Sequence, residues 1–375
     1  MHPITLVYLI ATLAVVVIGV VYLARRTAWV LATPRKGWYI VYAIVLVYSF
    51  IMMSLCKYGL GESFFINRLI VIGSSLCGVI ICLFLCLAVI ETVHHFHYLG
   101  RKTFGAITLV STFLLCAYGF INAAHPRVKT VEITLDNLHE PVTVAHLTDL
   151  HLGHFRGKDF VRLVADKTQA LRPDIIVITG DLFESHYHLA DSVIAPLCAL
   201  NIPTFFVIGN HDEYVDGMLI KKLVARNGIR VLANEKLKFG SLYIGGVDFL
   251  PADSAHSNHM RLPENGLTVE SVMHELKAND TLPYLMLAHA PVGAEYYEPA
   301  GVDLVLSGHT HGGQFFPLTV INHFAFEYNR GLHRYKNMFF YTSDGLGTTG
   351  FPMRTFTTSE LTCIRLVPAK QQEKN

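Results

Sequence analysis

Charge is scarce in this chain. Asp, Glu, Lys and Arg supply 16% of its 375 residues, while hydrophobic residues supply 52%. There is no run of Lys and Arg, and the net charge is +1. That argues against a nucleic-acid partner, which would need a basic face. A disulfide framework is missing too. Of seven cysteines, Cys56, Cys77, Cys82, Cys86 and Cys116 lie in or beside apolar runs, where Cys behaves as a small hydrophobe. Cys198 and Cys363 remain, and the spacing fits no zinc site. No internal repeat or low-complexity segment is present.

What is there divides sharply. The apolar excess lies in the first 125 residues. Four stretches, roughly Ile4 to Ala24, Trp38 to Leu55, Ile66 to Ile90 and Phe104 to Ala124, approach the length of about 20 residues that a bilayer span takes. A cleaved signal peptide is disfavoured for the first, because Arg25 and Arg26 follow the apolar run rather than precede it. Trp29, Trp38 and Tyr39 sit at the edges, as interfacial anchors do. The first loop carries Arg25, Arg26, Arg35 and Lys36, and the third carries Arg101 and Lys102. The second carries Lys57 and Arg68 with Glu62. The positive-inside rule puts the first and third loops in the cytoplasm and everything after the fourth helix outside. His94, His95 and His97 read as interfacial residues past a helix end, since no carboxylate but Glu91 is near.

After Pro126 short apolar runs alternate with amphipathic segments. Val142 to Leu147, Ile175 to Thr179, Thr204 to Ile208, Tyr284 to Ala288 and Val302 to Leu306 read as buried strands. Asp159 to Ala170, Leu189 to Leu200 and Gly217 to Asn227 have helical spacing. Leu242 to Val247, Met338 to Thr342 and Leu361 to Val367 read as further strands. The pattern predicts an all-α bundle of four transmembrane helices over 1–125, a linker or first-strand region over 126–141, a layered α/β domain over 142–367 and a polar tail over 368–375.

Every strand of the first group runs into a residue of metal-ligand type. These ends carry Asp149 and His151, then Asp181, then Asn210, His211 and Asp212, then His289, then His309 and His311. The last two histidines sit in Ser307-Gly-His-Thr-His-Gly-Gly-Gln314, one tight turn delivering two imidazoles. In open α/β sheets, sites form beyond the carboxyl ends of strands. Mixed carboxylate and imidazole ligands suit Mn, Fe, Zn or Co. Asp181 is the natural candidate to bridge two cations about 3.5–4 Å apart, a spacing that clamps both ends of an in-line displacement.

These five blocks resemble the calcineurin-like metallophosphoesterases: Asp-x-His, Gly-Asp, Gly-Asn-His-Asp, a lone His and Gly-His-x-His, in the family order. The resemblance implies a four-layer α/β/β/α sandwich. It implies one divalent metal on Asp149, His151 and His311, a second on Asn210, His289 and His309, and Asp181 between them. His211 would contact the phosphate and protonate the leaving oxygen, with Asp212 orienting it. A hydroxide bridging the metals would be the nucleophile. The run Gly180-Asp-Leu-Phe-Glu-Ser185 lacks the Arg of the phosphoprotein phosphatases. Gly312-Gly-Gln314 and Gly345-Leu-Gly-Thr-Thr-Gly-Phe-Pro-Met-Arg354 look instead like a branch of bacterial membrane-associated and cell-envelope phosphoesterases. Arg354 is a candidate substrate-binding residue there, beside Asn210 and His211.

The expected function is an integral-membrane phosphoesterase of the bacterial inner membrane, its catalytic domain on the extracytoplasmic face. Two divalent ions (Mn, Fe or Zn) serve it. Its partners are the membrane and a phosphate-containing substrate, lipid-linked or of the cell envelope. One alternative is a UDP-2,3-diacylglucosamine hydrolase of lipid A synthesis at the cytoplasmic face. Another is a transporter or sensor with a regulatory metal domain. The sequence says nothing about oligomeric state.

Overall fold

The computed structural model describes residues 3–57, 63–254, 266–278 and 280–369. Glu62 and the expected polar tail from residue 370 onward lie outside them. Four helices come first: α1 (Pro3–Leu31), α2 (Arg35–Lys57), α3 (Phe64–Phe96) and α4 (Arg101–Ala124). Each consists of helix-compatible apolar residues that propagate without an interior Pro. Among the described residues, three of them, α2 to α4, are long and apolar enough to cross a membrane. Four spans were expected. α1 is helical over 29 residues, but most side chains of its first half lie outside the described ones.

The chain then builds two sheets. Strands are β1 (Arg127–Leu135), β2 (Val142–Leu147), β3 (Ile175–Thr179), β4 (Thr204–Val207), β5 (Arg230–Val231), β6 (Glu235–Phe239), β7 (Leu242–Gly246), β8 (Tyr284–Leu287), β9 (Leu304–Ser307), β10 (Gly331–Tyr335), β11 (Met338–Thr342) and β12 (Glu360–Pro368). The remaining helices are α5 (Lys158–Ala170), α6 (Asp191–Cys198), α7 (Asn210–Arg226), α8 (Val269–Glu275), α9 (Ala294–Tyr297) and α10 (Leu318–Ala325). One sheet has the order β1-β12-β2-β3-β4-β5 and the other β10-β11-β9-β8-β7-β6. Within each, the central strands are parallel.

Side-chain alternation explains the layers. On β3, Ile175 and Val177 enter the core that also holds Ile244, Leu285, Leu287, Leu304 and Leu306 of the second sheet. Ile176 and Ile178 enter the opposite core, with Val161 and Val164 of α5, Ile194 of α6 and Ile220 of α7. A strand buried on both faces must be apolar throughout, which is why β3 reads as an unbroken run. On β8, Tyr284 and Met286 turn outward to Val272 and Met273 of α8 and Tyr297 of α9. The two sheets therefore pack face to face with helices on both outer surfaces. All the parallel strands that carry candidate ligands end at one edge of this stack.

The helical part is joined closely to the sheets. Asn122 of α4 donates through Nδ2 to the carbonyls of Arg354 and Thr357, at 3.0 and 2.7 Å. The Arg354 N–H donates to the Gly119 carbonyl at 3.0 Å. Phe351 and Met353 pack with Cys82 of α3 and Cys116 of α4.

Candidate metal centre

The strand-end turns adopt backbone that is costly for these residues. Asp149 (φ 53°), His151 (48°), Asp181 (51°), His309 (73°) and His311 (52°) are all left-handed. Such positions cost on the order of 1–3 kcal/mol each and persist only where surrounding structure enforces them. Here neighbouring turns tie one another down. Asp149 N donates to the Gly180 carbonyl and His151 N to the Asp181 carbonyl, both at 3.0 Å. Glycine is required where turns meet. A Cβ on Gly209 would lie 2.2 Å from Asp181 Oδ1, and one on Gly308 would lie 2.2 Å from Asp149 Oδ2.

Three groups of donor atoms result. Asp149, His151 and His311 form the first, Asp181, His289 and His309 the second, and His151, Glu184 and His211 the third. Asn210 Oδ1 joins the second, 3.0 Å from His289 Nε2 and 2.9 Å from His309 Nδ1. Asp181 Oδ2 lies 3.2 Å from His289 Nε2 and 3.7 Å from His151 Nε2, so it stands between the first two groups. Tautomers follow from partners. His289 Nδ1 faces the Thr179 carbonyl at 2.7 Å, so it carries the proton and leaves the Nε2 lone pair facing the cluster. In the first group, the Nε2 atoms of His151 and His311 face each other at 3.0 Å.

Electrostatics suit cations. Burial opposes ionisation of Asp181, but His289 and His211 outweigh it and hold the carboxyl well below the usual range. Asp149 moves up, chiefly through burial. Burial works against a proton on His289, yet Asp181 and Asp149 win and raise it to about 9. Burial and His289 lower His309 to about 3, and burial and His151 lower His311 as well. His309 and His311 are thus held neutral beside an ionised Asp181, as metal binding needs, and a cation at the second group would take the place of the extra proton that the carboxylates favour on His289. The donor set therefore fits two divalent cations.

The third group includes a residue that the sequence did not single out. Glu184 Oε2 is 2.6 Å from His151 Nδ1 and 2.7 Å from His211 Nδ1. Burial disfavours its charge, but His211 and His151 overcome that and hold it at about 2. One ionised carboxylate thus fixes the ring of a candidate ligand and of the candidate acid together. The available signal was a carboxylate three residues after Asp181.

Two expectations change. Asp212 does not hold the His211 ring. Its carboxylate accepts from the N–H groups of Phe183 and Gly209, at 2.9 and 3.0 Å, which braces the turn at the start of α7. Burial and the Asp181 charge push Asp212 up to about 7. Arg354 does not face a substrate. It is 0% exposed, and its guanidinium donates to the carbonyls of His311, Asp344, Gly345 and Gly347 and to Thr357 Oγ1. It braces the His311 turn from behind. His154 nearby is buried, with Nδ1 2.8 Å from Asn67 Oδ1 of α3.

Comparison with known proteins agrees with this geometry. Residues 142–313 match the family described as calcineurin-like phosphoesterase. A "transmembrane protein with metallophosphoesterase domain" from Danio rerio is 33% identical over 282 residues, 70% of this chain and 62% of its own. An uncharacterized metallophosphoesterase from Helicobacter pylori is 32% identical over 253 residues, 66% of each chain. Another from Aquifex aeolicus is 32% identical over 260 residues, 68% of this chain and 96% of its own. The matched part spans less than two thirds of the Danio rerio protein's length.

Proposed function

Since the chain belongs to the calcineurin-like phosphoesterases, and so to the metal-dependent phosphoester hydrolases, we propose that it cleaves a lipid-linked or cell-envelope phosphate at a membrane surface. Residues 1–125 form the membrane unit, with α1 as a fourth span, and 142–367 form the catalytic domain, an α/β/β/α sandwich. Asp149, His151 and His311 would hold one divalent cation (Mn, Fe or Zn), and Asn210, His289 and His309 a second, with Asp181 available to both. When bound, such ions neutralise phosphoryl charge and activate water at neutral pH.

The protein's own residues supply the rest. His211, its Nδ1 held by Glu184 at 2.7 Å, meets the substrate phosphate and protonates the leaving oxygen. Glu184 fixes the ring and stabilises its charged form. Gly209 and Gly308 let the backbone approach the carboxylates. Asn210 stands at the first position of α7, where helix N–H groups favour an anion.

One observation carries the lipid-linked part of the reading. Arg354 joins the last membrane helix to the metal-ligand turn, through its N–H to Gly119 and its guanidinium to the His311 carbonyl. Such wiring keeps the centre close to the bilayer. By the loop charges the domain lies on the extracytoplasmic side. Purified protein with Mn²⁺ is expected to hydrolyse an aryl phosphodiester and to prefer a phospholipid-linked substrate presented in vesicles. Absence of any phosphoester hydrolysis with every divalent metal tried contradicts the proposal. A C-terminal alkaline phosphatase fusion tests the side. An inactive fusion, with an active cytoplasmic reporter at the same position, shifts the reading to UDP-2,3-diacylglucosamine hydrolysis.

A further inference from the structure

Helix α10 presents apolar side chains outward. Leu318, Val320, Ile321 and Phe324 are all exposed, Phe324 at 82%, and no residue of the helix is buried. The sequence holds no charge between Asp303 and Glu327. Facing water, this would be an exposed apolar patch of the kind that marks an interaction surface. Phe316 and Phe356, also exposed, extend it.

The position of those two rings identifies the partner. They line an apolar groove of about 500 Å³ together with Leu85 and Val89 of α3 and Ser111 and Leu115 of α4. Leu115 lies nine residues before the end of α4 at Ala124. At 1.5 Å per residue it is roughly 13 Å along the helix from its end. The rings are therefore level with the hydrocarbon that surrounds α4 and not with the water beyond it. Phe113 and Leu114 of α4 and Val89 of α3 also face outward. Phe316, two residues before α10, thus sets the approach to that helix against the apolar faces of α3 and α4.

We infer that α10, with Phe316 and Phe356, is a membrane-embedded element, a helix lying in the lipid beside α3 and α4 that holds the metal-ligand turn at bilayer level. The link to that turn is direct. Asn322 of α10 donates to the Thr310 carbonyl at 2.9 Å, between His309 and His311. The far end of α10 opens on the centre. Ala325 and Phe326 share the wall of a cavity of about 250 Å³ with His309. A phosphate carried on a lipid would reach His309 from the membrane side. This deepens the lipid-phosphate reading and rests on it for the substrate class; the insertion itself does not.

The test uses tryptophan as a depth probe. The chain has two tryptophans, so Phe324→Trp and, separately, Ile321→Trp are made in the Trp29→Phe, Trp38→Phe background. Each is reconstituted in phosphatidylcholine vesicles with and without brominated acyl chains. Leu332→Trp serves as the water-facing control, on β10 beside Arg334 and Lys336. The indoles at 324 and 321 are expected to emit at shorter wavelength, to lose most of their intensity with brominated lipid, and to resist iodide. Behaviour matching the control, unaffected by bromine and quenched by iodide, overturns the inference. The double change Phe324→Ser, Ile321→Ser is expected to keep turnover of a soluble aryl phosphodiester and lose turnover of a vesicle-borne substrate. Equal loss on both overturns the coupling to the centre. Bromine quenching in a protein that hydrolyses nothing keeps the membrane element and sinks the functional reading instead.

Discussion

His211 has a carboxylate next to it in sequence and a different one next to it in space. Asp212 is spent on two backbone N–H groups, and Glu184, distant by 27 positions, takes the ring. Adjacency in sequence misleads here because residues 211 and 212 lie on a helix, where neighbours point in different directions. Glu184→Gln is expected to lower kcat by about 10- to 100-fold, the usual cost of losing a partner that orients an imidazole. Metal content is measured on the same sample, because Glu184 also holds the ring of His151; an unaltered kcat would leave Glu184 without a role. His146 gives a second test at this scale. It is buried on β2 with Nε2 2.8 Å from Thr179 Oγ1, and burial lowers its pKa to about 4. An unfolded histidine titrates near 6.5. As the pH drops from about 6.5 to 4, the unfolded chain takes up a proton that the folded chain refuses. The fold therefore loses stability across that window, by roughly 3 kcal/mol at its lower end. Thermal unfolding at pH 7 and pH 5 should show a smaller drop for His146→Gln than for the unaltered protein. Identical drops would mean that His146 is not a source of the pH dependence.

Elements were legible to the extent that burial made them so. β2, β3 and β4 are apolar on both faces, and their expected spans differ from the observed ones by at most one residue. β1 falls inside the expected linker or first-strand region over 126–141, whose sequence sets no bounds for it. It is an edge strand whose exposed positions include Arg127, Lys129 and Glu132, so it lacks the apolar run that a central strand has. The helix expected from Gly217 is the second part of α7, since Asp216 is extended and kinks the element, and a shorter first part from Asn210, where Asp212 closes a capping arrangement on Gly209, was not expected. α10 gave no signal because none of its residues is buried, so no core-facing apolar stripe sets a period. The ligand-bearing turns were legible as motifs, but their left-handed backbone was not, since nothing in Asp or His demands it. Gly209→Ala tests those turns. The added methyl would collide with Asp181 Oδ1, so loss of bound metal and of hydrolysis is expected, with the sheets intact by circular dichroism. A variant that keeps full metal content would show that the close approach is not required.

At the scale of the molecule, the membrane half and the sheet half meet through a few polar contacts whose loss should be felt at a distance. Asn122 is buried and satisfies two carbonyls of the 354–357 loop. Asn122→Ala leaves those carbonyls without their donor, at about 1–3 kcal/mol for each buried group left unsatisfied. A lowered melting temperature in detergent and weaker metal retention are expected together. A melting change without any metal change would separate the joint from the centre. None of this wiring was legible in the sequence, because Asn122 stands in an apolar run and its partners come more than 200 positions later.

The central claim is a pair of cations sharing Asp181, and elemental analysis of the purified full chain tests it most directly. The account predicts about two divalent metal ions per chain, falling together with hydrolysis in Asp181→Ala. A single ion per chain at full activity, or an Asp181→Ala variant that keeps its metal and its turnover, would contradict it.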